Sequence, residues 1–417
     1  MSGRPTTIDA VVRGGLCTGC GICVSLLGAE QASMGLSPRG DLRPRFSAPL
    51  TEAQDADLID ICPGATVLGP DPQTLAPGTT LDPVWGPMRG LQRGWAGDPQ
   101  VRFTAAAGGV LTALGRYLLD AGRVDAVLHV RTSPTQPLLT DAHISRTADD
   151  ALAGAQSRYG PAAPLVHVRE LLDGNETFAV IGKPCDITAI RNLARHDARV
   201  EQQIPFLLTI FCGGVPNVTT AENVARAHDI EPDEVTLFRF RGEGWPGPTR
   251  VEAGDRRVDL TYRQAWFDSD APWRYDAQWR CKICPDAIGE VADVSVPDGW
   301  ILDADGRTTH NEAPGVNVVL ERTTAGSDLV AAATAAGYLE TAALERHEFE
   351  LMHADHRRRR LGEPARLAAL REAGAAEPRV EGYRLDELER LAPPDLLSSQ
   401  RDGTADRIRR GQATERT

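Results

Sequence analysis

The sequence predicts a mixed fold, α+β or α/β, built from three unequal parts. Apolar segments of strand type alternate with amphipathic helical segments through the middle of the chain. A turn-rich segment with four cysteines precedes them, and a largely helical region follows. At 417 residues, the chain is long enough for two or three domains with cores of their own.

The first hundred residues contain few signals of regular structure. Residues 1–72 combine four cysteines with many turn-forming residues and show slight helical content. Residues 73–100 are rich in proline and glycine, which is typical of a linker lying over a surface. The sequence thus predicts a small N-terminal segment joined by a linker to the rest of the chain.

A central domain is predicted over residues 101–325, where helix and strand alternate. Apolar residues at helical spacing from Val110 to Leu118 predict a helix that Gly122 ends. The other elements that we expect here are strands over 124–130, 178–181 and 204–211 and a helix over 187–195. Residues 235–262 predict a β-rich part, because turn signals interrupt short β segments.

The C-terminal part is predicted to be helical over residues 326–397, with a polar, disordered tail over 398–417. His353 and His356 lie three apart on one predicted helix and precede a run of four arginines. We interpret this stretch as a solvated or docking face rather than a metal site.

Composition excludes several classes of protein. The net charge of −13 argues against a general nucleic-acid binder. No run of 18 apolar residues predicts a membrane span, and the N-terminus lacks the apolar core of a signal peptide. We therefore expect a cytoplasmic protein. In that reducing compartment, eight cysteines are better explained by metal binding than by disulfides.

The stretch LCTGCGIC places Cys17, Cys20 and Cys23 at a spacing typical of cubane iron–sulfur clusters. A cubane needs a fourth thiolate, and Cys62, followed by proline, is the remote ligand that this pattern usually has. Zinc also takes four thiolates, and unligated thiols are a further alternative. Three cysteines at successive two-residue gaps favour the cluster, so residues 1–72 are predicted to be a small ferredoxin-like iron–sulfur segment.

The remaining cysteines are Cys185, Cys212, Cys281 and Cys284. The first two each follow a predicted strand, and loops at that edge of an α/β sheet commonly build sites. Only the last two, in a CxxC pair, are locally diagnostic. The alternatives are a second four-cysteine cluster or, for the first two, ordinary buried thiols.

The chain has 43 arginines but only two lysines, Lys183 and Lys282. A GC-rich genome explains the arginine excess. It does not explain why both lysines lie within two residues of a cysteine, and the two cations are not interchangeable.

Two further stretches could contact a ligand. Gly108, Gly109 and Thr112 occur at a predicted helix start, where free N–H groups suit a phosphate. Ser157, Arg158 and Tyr159 occupy a turn-rich stretch. Packing at the helix start and an ordinary surface loop are the respective alternatives.

Taken together, seven stretches in order resemble the family of coenzyme F420 hydrogenase/dehydrogenase beta subunits. The matching stretches are CTGCGIC, AGGVLTALGRYLLDAGRVDAV, GKPCDITAIRNL, FCGG, FRGEGWPG, CKICPDAIGEVADVSVPDGW and GVNVVLERTTAG. They run from residue 17 to about 326, roughly three quarters of the chain. The family also includes chlorophyll-pathway reductases that take electrons from ferredoxin. Its members bind FAD and one or two cubane clusters.

The resemblance implies a central flavin-binding domain and a second cluster on the four later cysteines. It implies that the residues near FAD are Gly108, Gly109, Thr112, Ser157, Arg158 and Tyr159. Lys183 and Asp298 lie in two of the matched stretches and are the candidate catalytic residues. Lys183, Asp186 and Pro297 depart from the residues usual in the family, so the substrate is open.

The leading functional hypothesis is an oxidoreductase with FAD and one or two [4Fe-4S] clusters. It would exchange electrons between a hydride carrier, such as coenzyme F420, or an organic substrate and one-electron carriers such as ferredoxin. A flavin suits this role because it handles both one and two electrons. The alternatives are a non-catalytic electron-transfer subunit of a larger hydrogenase or dehydrogenase complex, and an iron–sulfur or zinc regulatory protein.

Overall fold

A computed structural model describes residues 3–268, 271–272 and 276–415. Over these residues the strands are β1 (Ala32–Leu36), β2 (Leu42–Phe46), β3 (Thr66–Leu68), β4 (Thr80–Asp82), β5 (Gly86–Met88), β6 (Gly90–Ala96), β7 (Ala126–Thr132), β8 (Thr140–Ser145), β9 (Phe178–Gly182), β10 (Phe206–Thr209), β11 (Leu237–Arg239), β12 (Thr249–Ala253), β13 (Arg256–Leu260), β14 (Val294–Ser295), β15 (Asn317–Glu321), β16 (Leu339–Ala343) and β17 (Arg379–Glu381).

The helices over the same residues are α1 (Ile8–Arg13), α2 (Ile22–Leu27), α3 (Glu52–Ile61), α4 (Pro99–Thr104), α5 (Val110–Asp120), α6 (Ala148–Ala153), α7 (Val168–Asp173), α8 (Pro184–Leu193), α9 (Arg199–Gln203), α10 (Thr219–Arg226), α11 (Tyr262–Trp266), α12 (Trp279–Lys282), α13 (Thr324–Ala335), α14 (Arg346–Met352), α15 (Ala354–Leu361), α16 (Glu363–Glu372), α17 (Leu385–Leu391) and α18 (Pro394–Arg409). None of them is both long and apolar enough to cross a bilayer.

An eight-stranded sheet with helices on both faces confirms the mixed α/β prediction. Its order is β16-β6-β15-β14-β10-β9-β7-β8. The four strands β14, β10, β9 and β7 run parallel, and the strands on either side pair antiparallel. Parallel strands bring their carboxyl ends to one edge, where ligand sites of such sheets lie.

Alternation along the strands explains why both faces of the sheet are buried. Leu128 and Val180 pack on the face covered by α8, while Val127 and Ala179 pack on the face covered by α5 and α13. Successive side chains on a strand point to opposite faces, so a strand covered on both sides must be apolar throughout. The predicted strands over 124–130, 178–181 and 204–211 correspond to β7, β9 and β10.

The predicted linker over residues 73–100 is wrong in its second half. Strand β6 lies inside the central sheet, between β15 and β16. Its glycines, which suggested a linker, instead permit close strand approach: a Cβ on Gly94 would lie 2.6 Å from Cγ2 of Val319.

The predicted disordered tail over residues 398–417 is also wrong over the described residues, because α18 continues to Arg409. Leu396 and Leu397 pack against the apolar cluster around Trp85 and Phe349. Beyond the helix, the Glu415 carboxylate lies 2.8 Å from the guanidinium of Arg43, and both side chains are buried. A few apolar contacts and the buried ion pair of Glu415 therefore order this C-terminal segment, whose polar composition alone predicted disorder.

The N-terminal segment is not separate from the rest of the fold. Asn192 of α8 donates hydrogen bonds to the carbonyl oxygens of Ile61 and Thr66. Strand β3 pairs in parallel with β17 of the C-terminal region. The segment that carries the first four cysteines is therefore clamped between the central domain and the C-terminal helices.

Candidate functional site

A cavity of about 770 Å³ opens beside the carboxyl ends of β9 and β10. Residues that follow these strands, Lys183 and Ile210 to Gly214, line it. The predicted site residues in its lining are Gly109, Thr112, Ser157, Arg158, Tyr159, Lys183, Cys212 and Asp298. Within the described part of the chain, Gly108 and the other seven cysteines lie outside this lining.

The two glycines at the start of α5 have different roles. Gly109 is the N-cap residue with φ +77°, a conformation that favours glycine, and it faces the cavity. A Cβ on Gly108 would lie 2.7 Å from the backbone nitrogen of Asn317, so this position serves packing. The side-chain oxygen of Asn317 accepts the N–H of Val110. Leu111 and Thr112, the next two residues of the first turn, both line the cavity.

Arg158 is built into the cavity wall by its own chain. Its guanidinium donates to the carbonyl oxygens of Phe238, Pro137 and Leu139 and to Oγ1 of Thr140. No carboxylate of the described residues lies within ion-pair distance of it, and burial lowers the pKa of Arg158 to about 10. The wall therefore holds a cation without a directly bound counter-charge.

Arg241 is a site residue that the sequence did not reveal. Its guanidinium is 2% exposed and donates to Oδ2 of Asp298 at 2.8 Å and to the hydroxyl oxygen of Tyr159 at 3.0 Å. Burial opposes its charge, yet Asp298 raises the pKa of Arg241. Arg241 thus joins two predicted site residues that are far apart in sequence. Its only local signal was a position beside the glycine turn of FRGEGWPG.

Aromatic rings form the wall next to Arg241. The guanidinium carbon lies 5.2 Å from the ring centre of Tyr262 and 5.8 Å from that of Trp300. Trp245 packs against Trp300 at 5.3 Å but is itself 1% exposed. Trp300 therefore lines the cavity, whereas Trp245 belongs to the core.

Lys183 forms an ion pair at the other strand end. Its Nζ lies 2.8 Å from Oδ2 of Asp186, which also accepts the backbone N–H of Lys183 and so caps α8. Burial alone lowers the pKa of Lys183, but the Asp186 carboxylate outweighs it and the pKa is raised. Oδ1 of Asp186 is buried with no hydrogen-bond partner among the described residues. A charged pair with unused hydrogen-bonding capacity therefore faces the cavity.

The first cysteine set comes together at the junction of α1, α2 and α3. Cys17, Cys20 and Cys23 are at most 9% exposed. Burial and the neighbouring Cys17 raise the pKa of Cys62 to about 11, and burial followed by Cys62 raises that of Cys20. Backbone N–H groups point at these sulfurs, as from Gly19 to Cys17 at 3.4 Å.

The second set is assembled from three separate segments. Burial raises the pKa of Cys185, and the thiols of Cys212 and Cys284 add to the effect. Burial and then Cys281 raise the pKa of Cys212 to about 12. The N–H of Val215 donates to the sulfur of Cys281 at 3.3 Å. The four thiols thus lie close enough to affect one another's pKa, although only Cys281 and Cys284 are close in sequence.

Both cysteine sets are candidates for a metal site. Zinc and cubane clusters both take thiolate ligands, and the thiolates around a cubane each bind a separate iron. Among the described residues, no three His, Cys, Asp or Glu side chains converge on the position of a single ion.

Arg280 lies between the two sets and was also missed. It is 3% exposed and donates to the carbonyl oxygen of Pro63 at 3.0 Å. Its charge acts to lower the pKa of Cys62 and of Cys284, although burial dominates at both thiols. The positive charge of Arg280 therefore acts on thiols of both cysteine sets.

For the His353–His356 stretch, interpreted as a solvated or docking face, the solvated alternative is wrong for both imidazoles, whereas Arg357 and Arg358 are exposed. Both imidazoles line the cavity, and their ring centres each lie 5.1 Å from that of Phe211. Nε2 of each is buried without a hydrogen-bond partner in the described structure. From the same helix, Arg359 donates to the carbonyl oxygens of Cys212, Gly213 and Cys281. Helix α15 thus forms a wall of the site, because its Arg359 binds the loops that carry Cys212 and Cys281.

Comparisons with known proteins match the central part of the chain. The model for the N-terminal part of the coenzyme F420 hydrogenase/dehydrogenase beta subunit matches residues 91–169, and that for its C terminus matches residues 175–347.

Three curated relatives share this region. A coenzyme F420-dependent sulfite reductase of Methanocaldococcus jannaschii is 28% identical over 46% of this chain and 32% of its own length. An F420-dependent formate dehydrogenase 1 subunit beta of Methanococcus maripaludis is 26% identical over 60% of each chain. A coenzyme F420 hydrogenase subunit beta of Methanothermobacter thermautotrophicus is 23% identical over 60% of this chain and 82% of its own. The chain thus spans about a third and 60% of the first two relatives.

A solved structure supports the fold. A chain of the F420-reducing [NiFe] hydrogenase complex from Methanosarcina barkeri superposes with a TM-score of 0.51 at 18% identity. The superposition covers 69% of this chain and 95% of that one. Residues 348–415, which include α15, lie beyond both family models.

Proposed function

Because the chain belongs to the coenzyme F420 hydrogenase/dehydrogenase beta subunit family, we propose that it is an oxidoreductase with FAD and two [4Fe-4S] clusters. It exchanges electrons between a hydride carrier of the coenzyme F420 type, or an organic substrate, and a one-electron carrier such as ferredoxin. The observation that carries this proposal is Cys212, which belongs to the second cysteine set and also lines the cavity. The ligand site and the cysteine set thus share one loop.

The cavity suits FAD by its chemistry. The first turn of α5 supplies N–H groups beside Gly109, where a pyrophosphate can approach the backbone closely. Arg158 supplies a buried cation that lacks a bound counter-charge. Thr112, Ser157 and Tyr159 add hydroxyl groups to the lining. Bound there, the flavin would supply conversion between two-electron and one-electron transfer.

The eight cysteines suit two cubane clusters, which would supply one-electron transfer. Cys17, Cys20, Cys23 and Cys62 would hold one, and Cys185, Cys212, Cys281 and Cys284 the other. Thiols that burial keeps protonated in the free chain lose their protons when they bind metal. We further infer a cytoplasmic location, since eight free thiols suit a reducing compartment.

Lys183 and Asp298 are the residues that we propose to act on the substrate. Lys183 Nζ donates one hydrogen to Asp186 and has two left for an anion or a carbonyl oxygen in the cavity. Asp298 is held through Oδ2 by Arg241, which leaves Oδ1 to accept an N–H or O–H of a ligand. The two side chains thus offer a donor and an acceptor in one cavity.

A second candidate function is that of an electron-transfer subunit in a larger complex. The names of two relatives favour it, because each is the beta subunit of a hydrogenase or a dehydrogenase. In that case the partner enzyme, rather than this chain, would turn over the organic substrate. Co-purification of a stoichiometric partner from the native host distinguishes this function.

Anaerobic purification followed by an optical spectrum, flavin release and iron analysis tests the proposal. We expect about one FAD and about eight irons per chain. Reduced coenzyme F420 and NAD(P)H should then be compared as donors that bleach the flavin. A colourless protein with zinc and no flavin would overturn the proposal.

A further inference from the structure

Lys282, one of only two lysines, has no part in the function proposed above. It lies between Cys281 and Cys284 in sequence and lines a second cavity, of about 320 Å³. Arg39, Asp276, Trp279 and Arg410 also line this cavity. We call it the basic pocket.

The basic pocket carries an excess of positive charge. Arg39 pairs with Asp276 at 3.1 Å, and Arg410 pairs with Asp406 at 2.8 Å. Lys282 forms no ion pair with any described residue. The lining therefore brings three cations and one carboxylate together on a chain whose net charge is −13.

The floor of the basic pocket is in contact with the surroundings of both cysteine sets. Trp279 packs in one apolar cluster with Cys17 and Leu16, and it precedes Cys281 by two residues. Gln278, next to it, donates to the carbonyl oxygen of Thr18 at 3.2 Å. An electron carrier seated over Trp279 would thus lie against the outer side of both sets.

We propose that the basic pocket is the docking site of an acidic one-electron carrier protein of the ferredoxin type. The proposal rests on the function proposed above and identifies the surface of this chain that binds the one-electron carrier. Complementary charge chiefly sets orientation and association rate. The Debye length is about 8 Å at physiological ionic strength, so the local cations outweigh the distant negative charge once the carrier is in contact.

Two docking events are needed for each hydride. A hydride carries two electrons, so its oxidation releases one proton and reduces two ferredoxins by one electron each. The two carriers must bind in succession at the same surface. Weak, salt-sensitive binding with rapid release suits that sequence better than a large apolar interface.

The scarcity of lysine allows a direct test by zero-length cross-linking. A carbodiimide joins a carboxylate of the carrier to an amine of this chain. Lys183 is paired with Asp186 inside the large cavity, so Lys282 and the N-terminal amine are the amines available. With an acidic ferredoxin as probe, peptide mapping should find the cross-link at Lys282. Lys282→Arg keeps the charge but removes the amine, so it should abolish this cross-link.

Charge reversal at Arg410 tests the same surface away from the cysteines. Its side chain is 68% exposed, so the substitution should not disturb folding. Arg410→Glu should weaken ferredoxin binding and slow ferredoxin reduction about tenfold at low ionic strength, with the difference vanishing at high salt. Arg307→Glu, an equal charge change at a 78% exposed residue outside the pocket, is the control. The cation methyl viologen should not be slowed by either variant.

Three results would overturn the proposal. They are cross-links only at the N-terminal amine, an equal loss of affinity in Arg307→Glu, and ferredoxin reduction that Arg410→Glu leaves unchanged. A fourth such result is the binding of small anions at the pocket without binding of ferredoxin. Each measurement is made on protein whose flavin and iron contents match those of the wild type. Failure of the proposed function would instead appear as missing flavin or iron, so the two failures are distinguishable.

Discussion

At the scale of single residues, chemistry-bearing side chains were predictable where the sequence places them in a spaced motif. The four cysteines of the first set come together as their spacing suggests, although Cys62 is 39 residues from Cys23. Arg241 and Arg280 could not be predicted, because each acts on residues brought near only by folding. Gly108 and Gly109 looked equivalent in sequence, and only packing distances separate them.

Removal of Cys62 tests the first cysteine set. Cys62→Ala should lower bound iron by up to about four per chain, because a cubane needs four thiolates, and should leave the flavin bound. Iron analysis and the electron paramagnetic resonance spectrum check this. Unchanged iron and an unchanged cluster signal would exclude Cys62 as a ligand.

Substitution of Gly109 tests the flavin site. Gly109→Val adds a branched side chain at a positive φ where backbone faces the cavity, so FAD should be lost while the first iron set remains. Gly122→Val is the matched control, since Gly122 also has positive φ, of +59°, but a Cβ there meets no atom within 4 Å. Both variants should lose about 1–2 kcal/mol of stability from backbone strain, and Gly109→Val should lose more, because its Cβ would lie 3.2 Å from the carbonyl oxygen of Val101 and 3.3 Å from Cβ of Ala96. If Gly109→Val still binds stoichiometric FAD, Gly109 serves packing and not FAD binding.

At the scale of elements, periodic segments were predictable and composition-based ones were not. Helix α5 and strands β7, β9 and β10 follow from apolar spacing, which local physics enforces. Strand β6 and helix α18 have compositions typical of a linker and a tail. They are ordered by partners more than 200 residues away or by buried charges, which no local pattern encodes.

The ion pair beyond α18 gives an element-scale prediction. Glu415→Gln leaves the buried Arg43 with Asp41 as its one remaining carboxylate among the described residues, so the free energy of unfolding should fall by about 1–3 kcal/mol. A chelator should also extract iron faster from the first set, because Arg43 lies close to Cys17. Urea unfolding and iron-release kinetics check both effects. Glu372→Gln breaks an exposed pair with Arg401 and should cost less than about 1 kcal/mol.

At the scale of the whole molecule, the parts that the family models match hold the large cavity, and the flanking parts close it. Residues 91–347 supply most of its lining, while α15 adds His356 and Arg359 and its N-cap residue is His353. The family resemblance predicted the first contribution. The second could not be predicted, because an arginine-rich helix is ordinarily solvated and only the folded chain turns it inward.

Removal of two cysteines of the first set tests the proposed order of electron flow. A protein with Cys17→Ala and Cys20→Ala should still show flavin bleaching by its hydride donor, because the cavity adjoins only the second set. It should fail to reduce ferredoxin or a viologen dye. Dye reduction at the wild-type rate would give the first set a purely structural role.

Buried His129 makes global stability depend on pH. Burial lowers its pKa to about 4 from an ordinary 6.5, so between these values the unfolded chain binds a proton that the folded chain does not. The stability that His129 contributes is therefore fully present above pH 6.5 and should fall by about 3 kcal/mol as the pH drops toward 4. Urea unfolding of His129→Gln should show a shallower loss than wild type. Exposed His347→Gln should match wild type; equal slopes in all three would refute the assignment.

The placement of β6 in the middle of the sheet has a consequence for synthesis. Gly94 pairs with Asn317, so about 220 residues must be translated before β6 can meet either neighbour. At about 5–20 residues per second, this takes roughly 10 to 45 s. Throughout that interval the nascent strand exposes unpaired backbone to other chains. The ribosome-bound stage, rather than the finished protein, is where this sheet is most open to misassembly.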